Sequence, residues 1–141
     1  MNSITSLFLI SALALPLLLL PIEQAWPYPY LWEELAKLVA IAWLMSDRRS
    51  SVNSQIGWII LFGIIFTISE STLYLMNIFT LGTLSDIRSR LLLTGFLHLT
   101  TTTTIYLTWK SNKWLGLVGL VLAIIIHYVY NAQIAVFFDS F

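Results

Sequence analysis

Long apolar stretches dominate this 141-residue chain and leave few folds open to it. Five can be drawn, over residues 4–22, 29–45, 56–80, 91–109 and 114–138. Each approaches the roughly 20 residues that a helix needs to cross a bilayer. Lipid offers no partner to a backbone N–H or C=O, so a spanning run of this kind must pair its own backbone as a helix. The chain is therefore expected to be all-α, a polytopic membrane bundle of about five transmembrane helices in a single domain. Pro16 should kink the first span. Pro27 and Pro29 stand at the start of the second, the shortest, where a missing N–H costs little. The connections at 46–51, 82–90 and 110–113 are short and polar, and none could hold a second domain. No internal repeat is visible, and an odd number of spans disfavours an inverted duplication.

Composition agrees. Hydrophobic residues make up 58% of the chain and charged residues 10%, against about 25% charged in a soluble domain. The formal net charge is zero, which removes the electrostatic case for nucleic acid as a partner. Without cysteine there is no disulfide framework, thiolate metal site or cysteine nucleophile. No Lys or Arg precedes the first apolar run, which is not the layout of a signal peptide. Arg48, Arg49, Lys110 and Lys113 fall on the same side as the N-terminus, and Arg88 and Arg90 on the other. The excess places the N-terminus in the cytoplasm and the C-terminus outside, in a multi-pass protein of the cell membrane. Trp26, Trp58, Trp109 and Trp114 lie near span ends, where aromatic anchors belong.

Against that background Glu33, Glu34, Glu70, His98 and His127 need a reason to be where they are. An ionisable group at the centre of a span costs about 2.5–3.5 kcal/mol on insertion scales. At about 1.5 Å per residue, all five fall about 17–21 Å from the cytoplasmic ends of their spans. Four helices thus deliver ionisable groups to one plane nearer the external face, as a shared site would require. Each has company one turn away. Lys37 can pair with Glu33 at i,i+4 or with Glu34 at i,i+3. Phe66 with Glu70, His98 with Thr102, and His127 with Asn131 are i,i+4 pairs. Glu33 and Glu34 point about 100° apart, so one should face the site while the other stands behind it. The remaining threonines of 100–104, and Tyr74, Tyr128 and Tyr130, read as packing residues. Asn131 reads as helix–helix glue as well as a site residue.

The ordered set Glu33-Glu34-Leu35-Ala36-Lys37, Phe66-Thr67-Ile68-Ser69-Glu70, His98-Leu99-Thr100-Thr101-Thr102 and His127-Tyr128-Val129-Tyr130-Asn131 resembles the PrsW family of intramembrane proteases. That family is related to the CAAX-processing and bacteriocin-processing membrane proteases. The resemblance covers about Pro29 to Asn131. It implies hydrolysis of a peptide bond in a membrane-anchored protein substrate, as in regulatory cleavage of an anti-sigma factor. It implies Glu33, Glu34, Glu70, His98 and His127 as catalytic residues, with Asn131, Lys37 and Thr102 in support.

A carboxylate withdrawn from water can take a proton from an attacking water and return it to the leaving amine; Glu33 or Glu34 is the expected base. Two versions of the site follow. In one, Glu70, His98 and His127 bind Zn²⁺ as a His₂Glu set with one open position. In the other no metal is needed: Glu70 and one histidine position the water, while His127 and Asn131 donate to the oxyanion. Likeness to glutamate-centred hydrolases favours the metal-free version. Other protease plans fit less well. No His-Glu-x-x-His or Gly-x-Gly-Asp occurs, and Asp47, Asp86 and Asp139 lie in connections or the tail. Two further classes use the same residues: a proton-coupled carrier or channel with a Glu/His relay, and a non-catalytic membrane scaffold.

Overall fold

A computed structural model describes residues 3–46, 51–81 and 84–138. They form five helices, α1 (Ser3–Ala25), α2 (Pro29–Ser46), α3 (Val52–Leu81), α4 (Leu84–Ser111) and α5 (Lys113–Phe138). The described residues contain no strand. All five expected spans are present as helices. The main difference is α4, which begins at Leu84 rather than near Leu91. A helix pairs its own backbone in water as well as in lipid, so it need not end where the apolar run ends. Asp47, Arg48, Arg49 and Asp139 lie outside the described residues, as do the side chains of Tyr74, Asp86 and Arg90.

Among the described residues, only α1, α3 and α5 are long and apolar enough to qualify as membrane spans by those measures alone. The shortfall has a physical source. Helix α2 carries Glu33, Glu34 and Lys37 in 18 residues, and α4 carries the threonine run. Three apolar helices thus accompany two polar ones, and the polar pair contributes most of the buried ionisable residues.

Local signals set the helix ends. Pro29 opens α2, and the Leu31 N–H bonds the Tyr28 carbonyl at 3.2 Å. Ser51 caps α3 by accepting from the Ser54 N–H at 3.3 Å. Asn112 is the whole turn between α4 and α5: its N–H bonds the Thr108 carbonyl, closing α4. Its Oδ1 accepts from the Trp114 N–H at 2.8 Å, opening α5.

Helices α2 and α4 face each other across the bundle. Helix α1 packs on α2 and α3, and α5 packs on α2 and α4. Among the described residues α5 touches neither α1 nor α3. Helix α1 stays helical through both Pro16 and Pro21. One turn before Pro16, the Leu13 carbonyl accepts from Ser69 Oγ of α3 at 2.7 Å. The carbonyl that Pro16 leaves without its helical N–H is that of Ala12, one residue earlier, so this bond ties α3 to α1 beside the weakened turn. The apolar core is built on Phe8, Phe62 and Phe66, whose rings stack from α1 into α3.

The α4–α5 seam is the tightest contact. A Cβ added at Gly119 would overlap the Thr108 side chain, and one at Gly116 would overlap Trp109. Small residues let membrane helices approach closely. Thr108 Oγ1 is held by the Thr104 and Ile105 carbonyls at 2.7 and 3.0 Å, so it cannot easily swing aside. Gly119→Val is expected to destabilise the protein by about 1–3 kcal/mol, the usual cost of overpacking. Unfolding in detergent would show this as a lower melting temperature.

Candidate functional site

Helix α2 presents one face inward. Glu33, Glu34, Lys37, Ala40, Ile41 and Leu44 are buried, whereas Leu35, Val39 and Trp43 form an exposed stripe on the opposite side. The helical period thus turns three ionisable side chains towards the protein rather than towards lipid. Lys37, with no measurable exposure, is the hub. Its Nζ donates to Glu34 Oε1 at 2.7 Å and to Thr101 Oγ1 at 3.3 Å, and lies 2.8 Å from His98 Nδ1. It also sits 4.8 Å from the centre of the Phe66 ring, a cation–π contact in a dry setting.

Helix α5 joins through His127, whose Nδ1 lies 2.8 Å from the same Glu34 Oε1. Its Nε2 is 4.0 Å from Glu33 Oε2. Helix α3 joins through Glu70, whose Oε2 is paired with His98 Nε2. The two imidazoles meet edge to face with centroids 5.7 Å apart. Phe66 packs 4.8 Å from the His98 ring. All five ionisable residues expected to converge, together with Lys37, lie in one connected cluster drawn from four helices.

The details decide between the expected pairs. Lys37 pairs with Glu34, at i,i+3. Glu34 is therefore the braced carboxylate, tied to Lys37 and His127, while Glu33 stands beside His127 Nε2. Phe66 serves as a floor under Lys37 and a wall against His98. Thr102 is fully buried on α4 and its Oγ1 has no hydrogen-bond partner. The threonine that reaches Lys37 is its neighbour Thr101, which spacing from His98 alone did not single out. Its signal would have been the facing of α2 and α4, which only the packing reveals. Asn131 is half-buried, one turn beyond His127, and does not join the hydrogen-bonded cluster. Tyr30 was also not foreseen. Its ring lies 6.2 Å from His127 and 5.7 Å from Tyr128, covering one side of the histidine. A further α4–α5 bond, Thr94 Oγ1 to Tyr130 OH at 2.9 Å, lies nearby.

Glu33, Glu70 and His98 each offer a donor atom, all within 4.8 Å of one another. One ion about 2.0–2.2 Å from each ligand holds its ligands no more than about 4.4 Å apart, so these atoms would draw slightly closer to share it. Two carboxylates and an imidazole are a donor set suited to zinc and similar divalent ions. The group differs from the expected Glu70, His98 and His127 in one member, Glu33 standing in place of His127.

A helical membrane protein with clustered acids and histidines walled off from lipid has the equipment of an intramembrane hydrolase. The family model of the PrsW family intramembrane metalloprotease matches residues 25–140, and the chain belongs to that family. No curated protein and no solved structure matched it. The matched segment begins beyond most of α1 and contains every residue of the cluster. The family's description as a metalloprotease favours a metal-binding site over the metal-free version.

Proposed function

We propose that this protein cleaves a membrane-anchored protein at a peptide bond brought to Glu33, with regulatory proteolysis of the anti-sigma-factor type as its setting. The observation that carries this reading is the convergence of Glu33, Glu70, His98 and His127 from four helices into one buried cluster. Family membership separates the protease from a proton carrier built of the same residue types.

By distance, Glu33, Glu70 and His98 would hold a divalent ion, with zinc the expected metal. When bound it would supply Lewis acidity to the reacting carbonyl and its water. The residues divide the remaining work. Glu33 takes the proton of the attacking water and returns it to the nitrogen of the leaving amine. His127 stands 4.0 Å from Glu33 Oε2 and is placed to share that proton. Glu34 and Lys37 hold His127 and His98 in position rather than reacting. Phe66 and the Tyr30 ring limit water beside the histidines.

Purified protein in nanodiscs, given a single-span substrate with a soluble reporter, should release the reporter. A strong chelator should stop the release, and zinc should restore it. Unimpaired cleavage by protein shown by elemental analysis to be metal-free would remove the metal from this reading. Absence of cleavage of any single-span substrate, with proton flux across liposomes instead, would favour the relay.

A further inference from the structure

We propose that Lys37 is a positioning residue that fixes His98 with its proton on Nε2, the opposite tautomer to His127. The argument is a count of donors and acceptors. A lysine side chain offers three N–H donors and no acceptor. Three acceptors surround Nζ: Glu34 Oε1 at 2.7 Å, His98 Nδ1 at 2.8 Å and Thr101 Oγ1 at 3.3 Å. All three donors are satisfied only if His98 Nδ1 presents its lone pair. A neutral imidazole carries one N–H, so that hydrogen sits on Nε2, where Glu70 Oε2 accepts it.

His127 has the reverse wiring. Its Nδ1 faces Glu34 Oε1 at 2.8 Å. A carboxylate only accepts, so Nδ1 carries a hydrogen, and in a neutral ring Nε2 then keeps the lone pair, 4.0 Å from Glu33 Oε2. A histidine prepared to ligate or to accept a proton normally donates its remote N–H to a carboxylate or carbonyl. His127 is arranged in that way and His98 is not. In the ion-free protein His98 acts as a donor that aims the Glu70 carboxylate, and His127 supplies the open nitrogen. An ion taking His98 Nε2 would first have to displace its hydrogen, whereas His127 Nε2 is open from the start. Hydrogen-bond satisfaction within the buried cluster enforces this asymmetry, because Lys37 cannot turn a lone pair towards Nδ1.

The chain has two histidines, so four imidazole nitrogens report the whole pattern. Metal-stripped protein labelled with ¹⁵N-histidine, in nanodiscs, should show one ring protonated at Nε2 and one at Nδ1. The signals lost in His127→Gln should be those of the Nδ1-protonated ring. Lys37→Met should let His98 Nδ1 take up a hydrogen while Glu70 keeps the one on Nε2, and Lys37→Arg, which keeps a donor, should preserve the wild-type pattern. His98 protonated at Nδ1 in the wild-type protein would overturn the proposal, even if no Lys37 variant folds. An unchanged pattern in folded Lys37→Met would overturn it as well.

Cleavage gives a second readout, resting on the protease reading. Lys37→Met should lower kcat about 10–100-fold, the usual cost of losing a residue behind the reacting groups, with KM little changed and partial recovery in Lys37→Arg. A wild-type protein that cleaves nothing yet shows the two tautomers would defeat the protease reading and leave the role of Lys37 standing.

Discussion

Glu33→Gln is expected to reduce cleavage by about 10²–10⁴-fold, the range associated with loss of a general base, while leaving the protein folded. The amide is close to the carboxylate in shape but cannot take a proton from water. Glu33 is buried, and Glu34 makes the 2.7 Å ion pair with Lys37. Replacing it therefore leaves the central brace between α2, α4 and α5 in place. Melting temperature should stay near the wild-type value.

Metal content sharpens the expectation, because Glu33 also lies in the candidate ligand group. If its main task were ligation, ion and activity would be lost in proportion. If it is chiefly the base, activity should fall far more than ion content. Glu70, His98 and the open nitrogen of His127 all remain, and His127 Nε2 is only 4.0 Å from Glu33 Oε2. Elemental analysis beside the cleavage assay separates the two. Parallel loss of both would move Glu33 from base to ligand, and undiminished cleavage would remove it from the chemistry.

Much of this was legible in the sequence because two strong constraints act locally. Lipid forces long apolar runs into helices, so five runs became five helices with little room for error. The cost of an ionisable group in such a run marked Glu70, His98 and His127 before any packing was known. Depth along each helix could also be counted from the span ends, since the rise per residue is fixed. Rotation between helices could not. Whether Lys37 would meet Glu33 or Glu34, and whether Thr101 or Thr102 would face it, depends on how α2 turns against α4. That turn is set by contacts far apart in sequence, including the exposure of Leu35, Val39 and Trp43 on the far side of α2. The same holds for Tyr30, which reaches His127 only because α2 and α5 lie side by side. The start of α4 was misplaced for a different reason: hydropathy marks where lipid ends and says little about where a helix ends.

Glu34→Gln should produce the largest loss of stability among single substitutions in the cluster, about 3–5 kcal/mol, as expected when one partner of a buried ion pair is removed. Both side chains of the Glu34–Lys37 pair are fully buried, so the substitution leaves Lys37 charged among apolar groups, without its nearest counter-charge. Glu34 Oε1 is also the atom that holds His127 Nδ1, so a second brace weakens with it. An amide can still accept a hydrogen bond through its oxygen, and some polar contact will survive; the charge balance will not. The penalty should appear in mild-detergent unfolding as a shifted midpoint, because separated helices let Lys37 reach water while the packed bundle does not. The double substitution Glu34→Gln with Lys37→Met removes both charges and should recover much of the lost stability, since an apolar replacement of a buried pair is often neutral. Cleavage should not recover with it, as His98 and His127 then both lack the partners that orient them. Recovery of both together would mean that the pair only balances charge and positions nothing. Additive losses in the double variant would mean that Lys37 and Glu34 are not coupled at all.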